Sequence, residues 1–247
     1  MDREAFAQRV LSNWAERYEL TLEVLQQPGI GLIPVSDFAG SGGIHAWYIA
    51  NYTLIRFDPA QEAAVRALLA AIGDAPSLKP GQLAAAAPST EIPVNRTERS
   101  LLSYLYPPDF TPAALPSGFT IRQLGSGDKQ ALAELQAACR AEEIDEAEVS
   151  VEDEIAFGCF CGRQLATVAT GFTLTGFMDI GVITHPDFRK QGLGEAVVST
   201  LSAWCLGREI LPQYRCSDTN IPSHKLALRL GFATLVRSEH IYVELDT

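Results

Sequence analysis

Residues Asp179 to Gly194 read Asp-Ile-Gly-Val-Ile-Thr-His-Pro-Asp-Phe-Arg-Lys-Gln-Gly-Leu-Gly, and an amphipathic helical pattern follows at once. An apolar strand therefore runs through a short basic, glycine-bearing turn into a helix N-terminus. Such a junction gathers free backbone N–H groups and the positive end of a helix dipole at one point, which suits an anion, most economically a pyrophosphate. Two phosphate loops do not fit the residues. A Walker A loop needs Lys and Ser or Thr after its last glycine, where this chain has Glu195 and Ala196. A dinucleotide-binding fingerprint needs a third small residue where Val197 stands, and it opens a βαβ unit instead of coming late in the chain.

A second segment lies one helix and one strand downstream: Asn220-Ile-Pro-Ser-His-Lys-Leu-Ala-Leu-Arg-Leu-Gly-Phe232. Arg189-Lys-Gln-Gly-Leu-Gly194 resembles the R/Q-x-x-G-x-G/A loop of the GNAT acetyltransferase superfamily, and 220–232 resembles the N-x-x-S…L-G-F segment of many of its members. The resemblance covers roughly residues 118–247. It is nearest to a branch with Ser three after the Asn, often with an extra N-terminal region. It implies an α/β (α+β) chain whose C-terminal GNAT fold has a mixed, mostly antiparallel sheet with helices on both faces.

The resemblance also implies acetyl-CoA as co-substrate, lying in a V-shaped opening between the fourth and fifth strands of that fold. Carried over position by position, Val182, Ile183 and Thr184 hold the pantetheine arm through their backbone. The pyrophosphate sits on N–H groups of Lys190, Gln191, Gly192, Leu193, Gly194 and Glu195, helped by the charges of Arg189 and Lys190. Glycine fits at 192 and 194 because a Cβ there blocks backbone approach or strains the turn. Asn220 matches a residue that contacts the pantetheine arm, and Ser223 contacts the cofactor or caps the following helix. The sequence departs from the pattern at Ala227, where many members carry a Tyr that protonates the departing thiolate. A thiol of pKa near 8.5 leaves with little help, and water or Ser223 can supply its proton.

Activating an amine is harder. A Lys-like amine of pKa about 10.4 is neutral about once in 2,500 at pH 7, or roughly 4.6 kcal/mol of barrier, against about 1 kcal/mol for an α-amino group. A base or desolvation must cover this. Asp179, on the strand leading to the turn, is the base candidate. Strict alternation puts it opposite Val182 and Thr184, and a bulge at Gly181 would undo that parity. Glu142 and Glu143 read as surface charges near the acceptor wall, and His185 as a turn residue without a second His to suggest a metal.

The bulk properties are those of a globular protein. The chain has 247 residues, 47% hydrophobic and 20% charged, and suits one large or two small domains. No apolar run approaches the ~18 residues of a membrane span, and the N-terminus lacks a signal pattern, so no membrane partner is expected. Five cysteines without C-x-x-C pairs argue against a disulfide framework or zinc site, and Cys159 and Cys161 read as core residues of one strand face. A reduced, cytoplasmic setting is expected. The net charge of −11 disfavours nucleic acid as a partner, because phosphate neutralisation needs a basic face, and none is expected.

Periodicity supplies the elements. Residues 1–17 form an amphipathic helix, Leu20–Leu25 and Ile30–Val35 read as strands, and Ile44–Phe57 is β-favouring. Asp58-Pro59 starts a helix that Gly73 ends. These make a small α+β domain over 1–80. Seven prolines between Pro80 and Pro116 mark 81–117 as an irregular connector, with the boundary near 115. Residues 118–247 then read β-α-α-β-β-β-α-β-α-β, ending in one or two strands over Phe232–Leu245. The whole points to an N-acetyltransferase acting on a small-molecule or peptide amine, with a homodimer as one role for the N-terminal part. The alternatives are a CoA-binding module that has lost transfer chemistry, and an interaction protein.

Overall fold

The computed structural model describes residues 2–244; Leu245, where the last strand was expected to end, lies outside them. The chain is mixed α/β and divides into two compact units, residues 1–102 with 234–247, and residues 103–233.

In the first unit, Asp2 caps helix α1 (Arg3–Arg17) by accepting from the Ala5 N–H at 2.8 Å, and Phe6, Val10 and Trp14 form its buried face. The strand expected over Leu20–Leu25 is instead a short helix, α2 (Leu22–Gln26). Cap chemistry decides this: the Thr21 hydroxyl accepts from the Val24 N–H, Glu23 sits in the first turn, and only Leu25 is buried. Strands β1 (Gly29–Pro34), β2 (Gly43–Ile49) and β3 (Tyr52–Phe57) follow, β2 and β3 as an antiparallel hairpin and β1 parallel to β3. Helix α3 (Glu62–Ile72) packs Val65 and Leu68 on Ile44, Ile55 and Phe57.

The connector expected over 81–117 holds regular structure. It contains helix α4 (Gln82–Ala86) and a 12-residue strand, β4 (Val94–Leu105). Prolines flank this strand at Pro93 and Pro107 and leave 94–106 free of them, so every residue between can join a ladder. The division between the units accordingly falls at 102–103 and not near 115.

The second unit contains β5 (Thr120–Gln123), α5 (Lys129–Ala137), α6 (Ala141–Ala147), β6 (Ile155–Cys161), β7 (Gln164–Leu174), β8 (Phe177–Thr184), α7 (Leu193–Leu206), β9 (Leu211–Ser217) and α8 (Ile221–Leu230). Strands β5 to β8 are antiparallel neighbours, and β9 joins β8 in parallel, giving the order β9-β8-β7-β6-β5. Helices cover both faces. Ile183 packs with Leu132 and Leu135 of α5 and Ala147 of α6, whereas Leu193 of α7 packs with Cys159 and Ala166 on the other side. Cys161, expected in the core beside Cys159, is exposed because it closes β6 at the Gly162-Arg163 turn.

The last strand, β10 (Phe232–Val243), leaves the second unit and pairs antiparallel with β2 over Val236–Tyr242. Its Glu239 is fully buried and accepts from the Tyr48 hydroxyl and from the N–H groups of Gly81 and Ala84, both at 3.2 Å. The carboxylate thereby ties the α4 segment to the sheet of its own unit.

Candidate functional site

The ladder between β8 and β9 runs from Phe177–Leu211 to Ile180–Tyr214 and stops there. Past that vertex, Gly181–Thr184 keep their pairing to β7, with no register shift, but have no ladder to β9. A half-open parallel pair leaves a polar backbone edge, which a ligand with amide groups can complete as a strand would. Continuous register also means that no bulge interrupts β8 at Gly181. Alternation therefore holds along the strand: Gly181 abuts the Ala147 carbonyl of α6, where a Cβ would stand 2.1 Å away, while Thr184 faces Gly194 of α7.

A cleft of about 600 Å³ occupies this opening. Its walls include Val182, Ile183 and Thr184 of β8, Arg189 to Glu195 of the turn except Gln191, Tyr214 and Arg215 of β9, and Asn220 and Ser223 at the start of α8. The cofactor residues expected from the sequence are thus brought together, apart from Gln191, whose side chain donates to the Asp187 carbonyl at 3.3 Å.

The turn is shaped for an anion. Lys190 and Gly192 both have positive φ, 61° and 79°, which winds the backbone tightly before α7. The first intrahelical bond returns from the Ala196 N–H to the Gly192 carbonyl, so the preceding amides at the α7 N-terminus open toward the cleft. A Cβ on Gly194 would meet Leu226 and Thr184 at 3.4 Å. Lys190, Lys225, Arg189 and Arg229 place four cations on this end of the cleft, within a chain of net charge −11.

Helix α6 reaches over both limbs of the opening. Glu143 receives Arg189 as a bidentate pair at 3.0 and 3.1 Å, and the Arg189 Nε donates to the Thr184 carbonyl. Bonds from Arg140 and Arg189 hold the Glu143 carboxyl down at a pKa of about 2. Glu146 accepts from the Ser217 N–H and from the Asn220 side-chain amide, both at 3.1 Å. Asn220 also caps α8, its Oδ1 accepting from the Ser223 N–H at 3.2 Å. His185 likewise serves its turn, accepting from the Asp187 N–H.

Two side chains flank the vertex on opposite faces of the sheet, Asp179 from β8 and Tyr214 from β9. Asp179, on the α6 face, is 3% exposed and does not line the cleft. Its Oδ1 accepts from Gln213 at 2.9 Å and its Oδ2 lies 3.5 Å from the Nε of Arg215, which lines the cleft and also pairs with Glu148. Gln213 is held in turn by the buried Tyr104 hydroxyl at 2.7 Å. Burial raises the Asp179 pKa, and Arg215 opposes that shift. On the other face Tyr214, 1% exposed, points its hydroxyl to the Ser223 Oγ at 2.7 Å. Sequence reasoning missed Tyr214 because its partner lies nine residues on, across a strand-to-helix connection. The available signal was a polar-tipped ring beside Arg215 in the middle of β9. Among the described residues no group of His, Cys, Asp and Glu could hold a metal ion.

Comparison with known proteins agrees with this geometry. Residues 159–239 match the model of the GNAT acetyltransferase family. The fold is similar to that of a GNAT-family protein from Novosphingobium aromaticivorans, with 20% identity and a TM-score of 0.53 over 78% of this chain and 84% of that one. An acetyltransferase of the GNAT family from Colwellia psychrerythraea is 14% identical, with a TM-score of 0.51 over 77% and 76% of the two chains. A Drosophila protein at 17% identity covers 96% of this chain and 88% of its own, with a TM-score of 0.51. No curated protein sequence matches the chain.

Proposed function

We propose that this chain is an N-acetyltransferase that moves the acetyl group of acetyl-CoA to a primary amine of a small molecule or peptide in a ternary complex. The observation that carries the reading is the arrested ladder at Ile180–Tyr214, opening into the same cleft as the glycine turn of α7. The diphosphate of CoA would lie on the amides of Lys190 to Glu195, and its pantetheine arm along Val182, Ile183 and Thr184, with Asn220 and Ser223 on the far limb. An N–H of β8 would stabilise the oxyanion formed when the amine attacks.

Asp179 serves as the general base in this reading. Its carboxylate stands one layer behind the cleft wall, so the amine's proton reaches it through an intervening water. A raised pKa suits that role, since a more basic carboxylate drives proton removal better than an ordinary one. We place the activity in the cytoplasm, with five free cysteines in keeping with a reducing setting. Among the described residues no helix is long and apolar enough to cross a membrane.

Two measurements test the reading. Acetyl-CoA should raise the melting temperature in proportion to ligand excess, and a panel of amines should include one that accelerates thiol release from acetyl-CoA. Tight CoA binding with no acceptor-dependent release would instead mark a CoA-binding module. Failure of acetyl-CoA to stabilise the protein would point to an interaction role, in which the N-terminal unit could also serve a homodimer.

A further inference from the structure

We infer that helix α6 is the wedge that keeps the cofactor opening apart, and that Glu146 is its positioning residue, setting the width between β8 and β9 beyond their vertex. The inference rests on the CoA reading above and concerns how the slot for the arm is held, not which groups touch the arm.

Parted strands need a cause. Backbone groups past Ile180–Tyr214 would gain partners if the two strands zipped on, and continuing that register would set Ser217 opposite Ile183. β8 pairs with β7 in unbroken register as far as Thr184, so no bulge in it drives the two edges apart. β9 itself stays a strand to Ser217. The cause therefore lies outside the two strands, and α6 touches both.

The last turn of α6 is built for two limbs. The Ala147 carbonyl rests on Gly181 of β8, in space that a Cβ would fill. The residues on either side of Ala147 go to the other limb. Glu146 accepts from the Ser217 N–H at 3.1 Å, and Glu148 pairs with Arg215. Glu148 has a φ of 48°, which turns the chain out of the helix at this point. One turn earlier, Glu143 holds Arg189, whose Nε donates to the Thr184 carbonyl at the end of β8.

Glu146 makes the central tie to the β9 limb. It lines the cleft, so the Ser217 donor that could extend the ladder is met there by a carboxylate. Both of its oxygens also accept from the Asn220 side-chain amide at 3.1 Å. That amide is used at each end, since its oxygen caps α8 at the Ser223 N–H. Asn220 thus serves the cofactor by fixing where α8 begins. The parted limb has its partners before any ligand arrives, so the arm enters a slot that is already open.

A wedge and a bare charge make opposite predictions at this position. CoA is an anion, so loss of the Glu146 charge by itself should tighten binding, and salt should erase the gain. Loss of the acceptor frees the Ser217 donor and the Asn220 amide, and the limb relaxes toward β8. E146Q removes only the charge, because its side-chain oxygen can still accept from both groups. E146A removes the charge and the acceptor together.

The test is calorimetric titration of CoA into the full chain as wild type, E146Q and E146A, each shown folded by its melting curve. E146Q should bind at least as tightly as the wild type, and E146A about tenfold more weakly than E146Q at the same salt. An E146A variant that binds as tightly as E146Q, or more tightly, overturns the inference and leaves the CoA reading intact. Absence of CoA binding to the wild type overturns that reading, and the inference with it.

Discussion

Two carboxylates lie buried on strands of this chain, and each is held for a different purpose. Glu239 closes on the Tyr48 hydroxyl and on backbone donors of the α4 segment, so its bonds fix one stretch of chain to a sheet. Asp179 backs onto Arg215, whose side chain borders the cleft, and it receives Gln213 from within the same strand pair. Removing Glu239 takes away the acceptor of the Tyr48 hydroxyl and of the Ala84 N–H. Removing the charge at Asp179 leaves Arg215 its bond to Glu148. Burial alone therefore does not mark a functional carboxylate; what its partners face does.

That contrast can be broken by paired substitutions. Glu239→Ala should cost about 3 kcal/mol or more, since it leaves buried donors unsatisfied. On thermal unfolding this corresponds to a drop of roughly 6–12 °C for a chain of this size, with the turnover of the remaining folded protein unchanged. Asp179→Asn should do the reverse. Its amide oxygen can still accept from Gln213, and because burial raises the native pKa, the ionised carboxylate opposes folding at neutral pH. Stability should hold or rise while amine-dependent turnover falls about 100-fold. Equal losses of stability in both variants would erase the distinction.

Smaller effects sharpen it. Tyr48→Phe should cost about 1 kcal/mol by removing one of the donors to Glu239, read as a shifted denaturant midpoint. Glu143→Gln releases Arg189 and removes a charge from the cleft rim, so CoA should bind a few-fold tighter by calorimetry, with the gain shrinking as salt rises. His45 gives a pH signature confined to the first unit. Burial and Arg56 lower its pKa from 6.5 to about 4, so the unfolded chain binds the extra proton between those values. Stability should fall as pH drops through that window and level off below it, an effect that His45→Phe abolishes.

Much of the second unit was legible in the sequence. β6 and β8 begin and end where alternating or continuous apolar residues predict, because both strands are buried and bounded by turns. The glycine turn was legible for a stronger reason: positive φ at Gly192 restricts residue type directly. β4 was hidden by its neighbours, since proline counted over a window masks a proline-free run within it. Glu239 shares the strand phase of Ile241 and Val243, which lie in the core. A charge in that phase was the available signal, but its partners at Tyr48 and Gly81 are about 190 and 160 residues away. Tyr214 was missed for the same kind of reason. Pattern reports which way a side chain points, whereas the identity of its partner is settled only by the fold.

The return of β10 to the first unit has a consequence for how the polypeptide must be made and handled. Ribosomes release residues 2–102 long before Val236–Tyr242 exist, so β2 waits with an unsatisfied edge until that strand emerges. A fragment cut near residue 117 would inherit the mirror problem, carrying a strand with no neighbour to receive it and an edge open to other copies. The first unit is assembled from two stretches of chain far apart in sequence, and neither unit is a natural piece for excision.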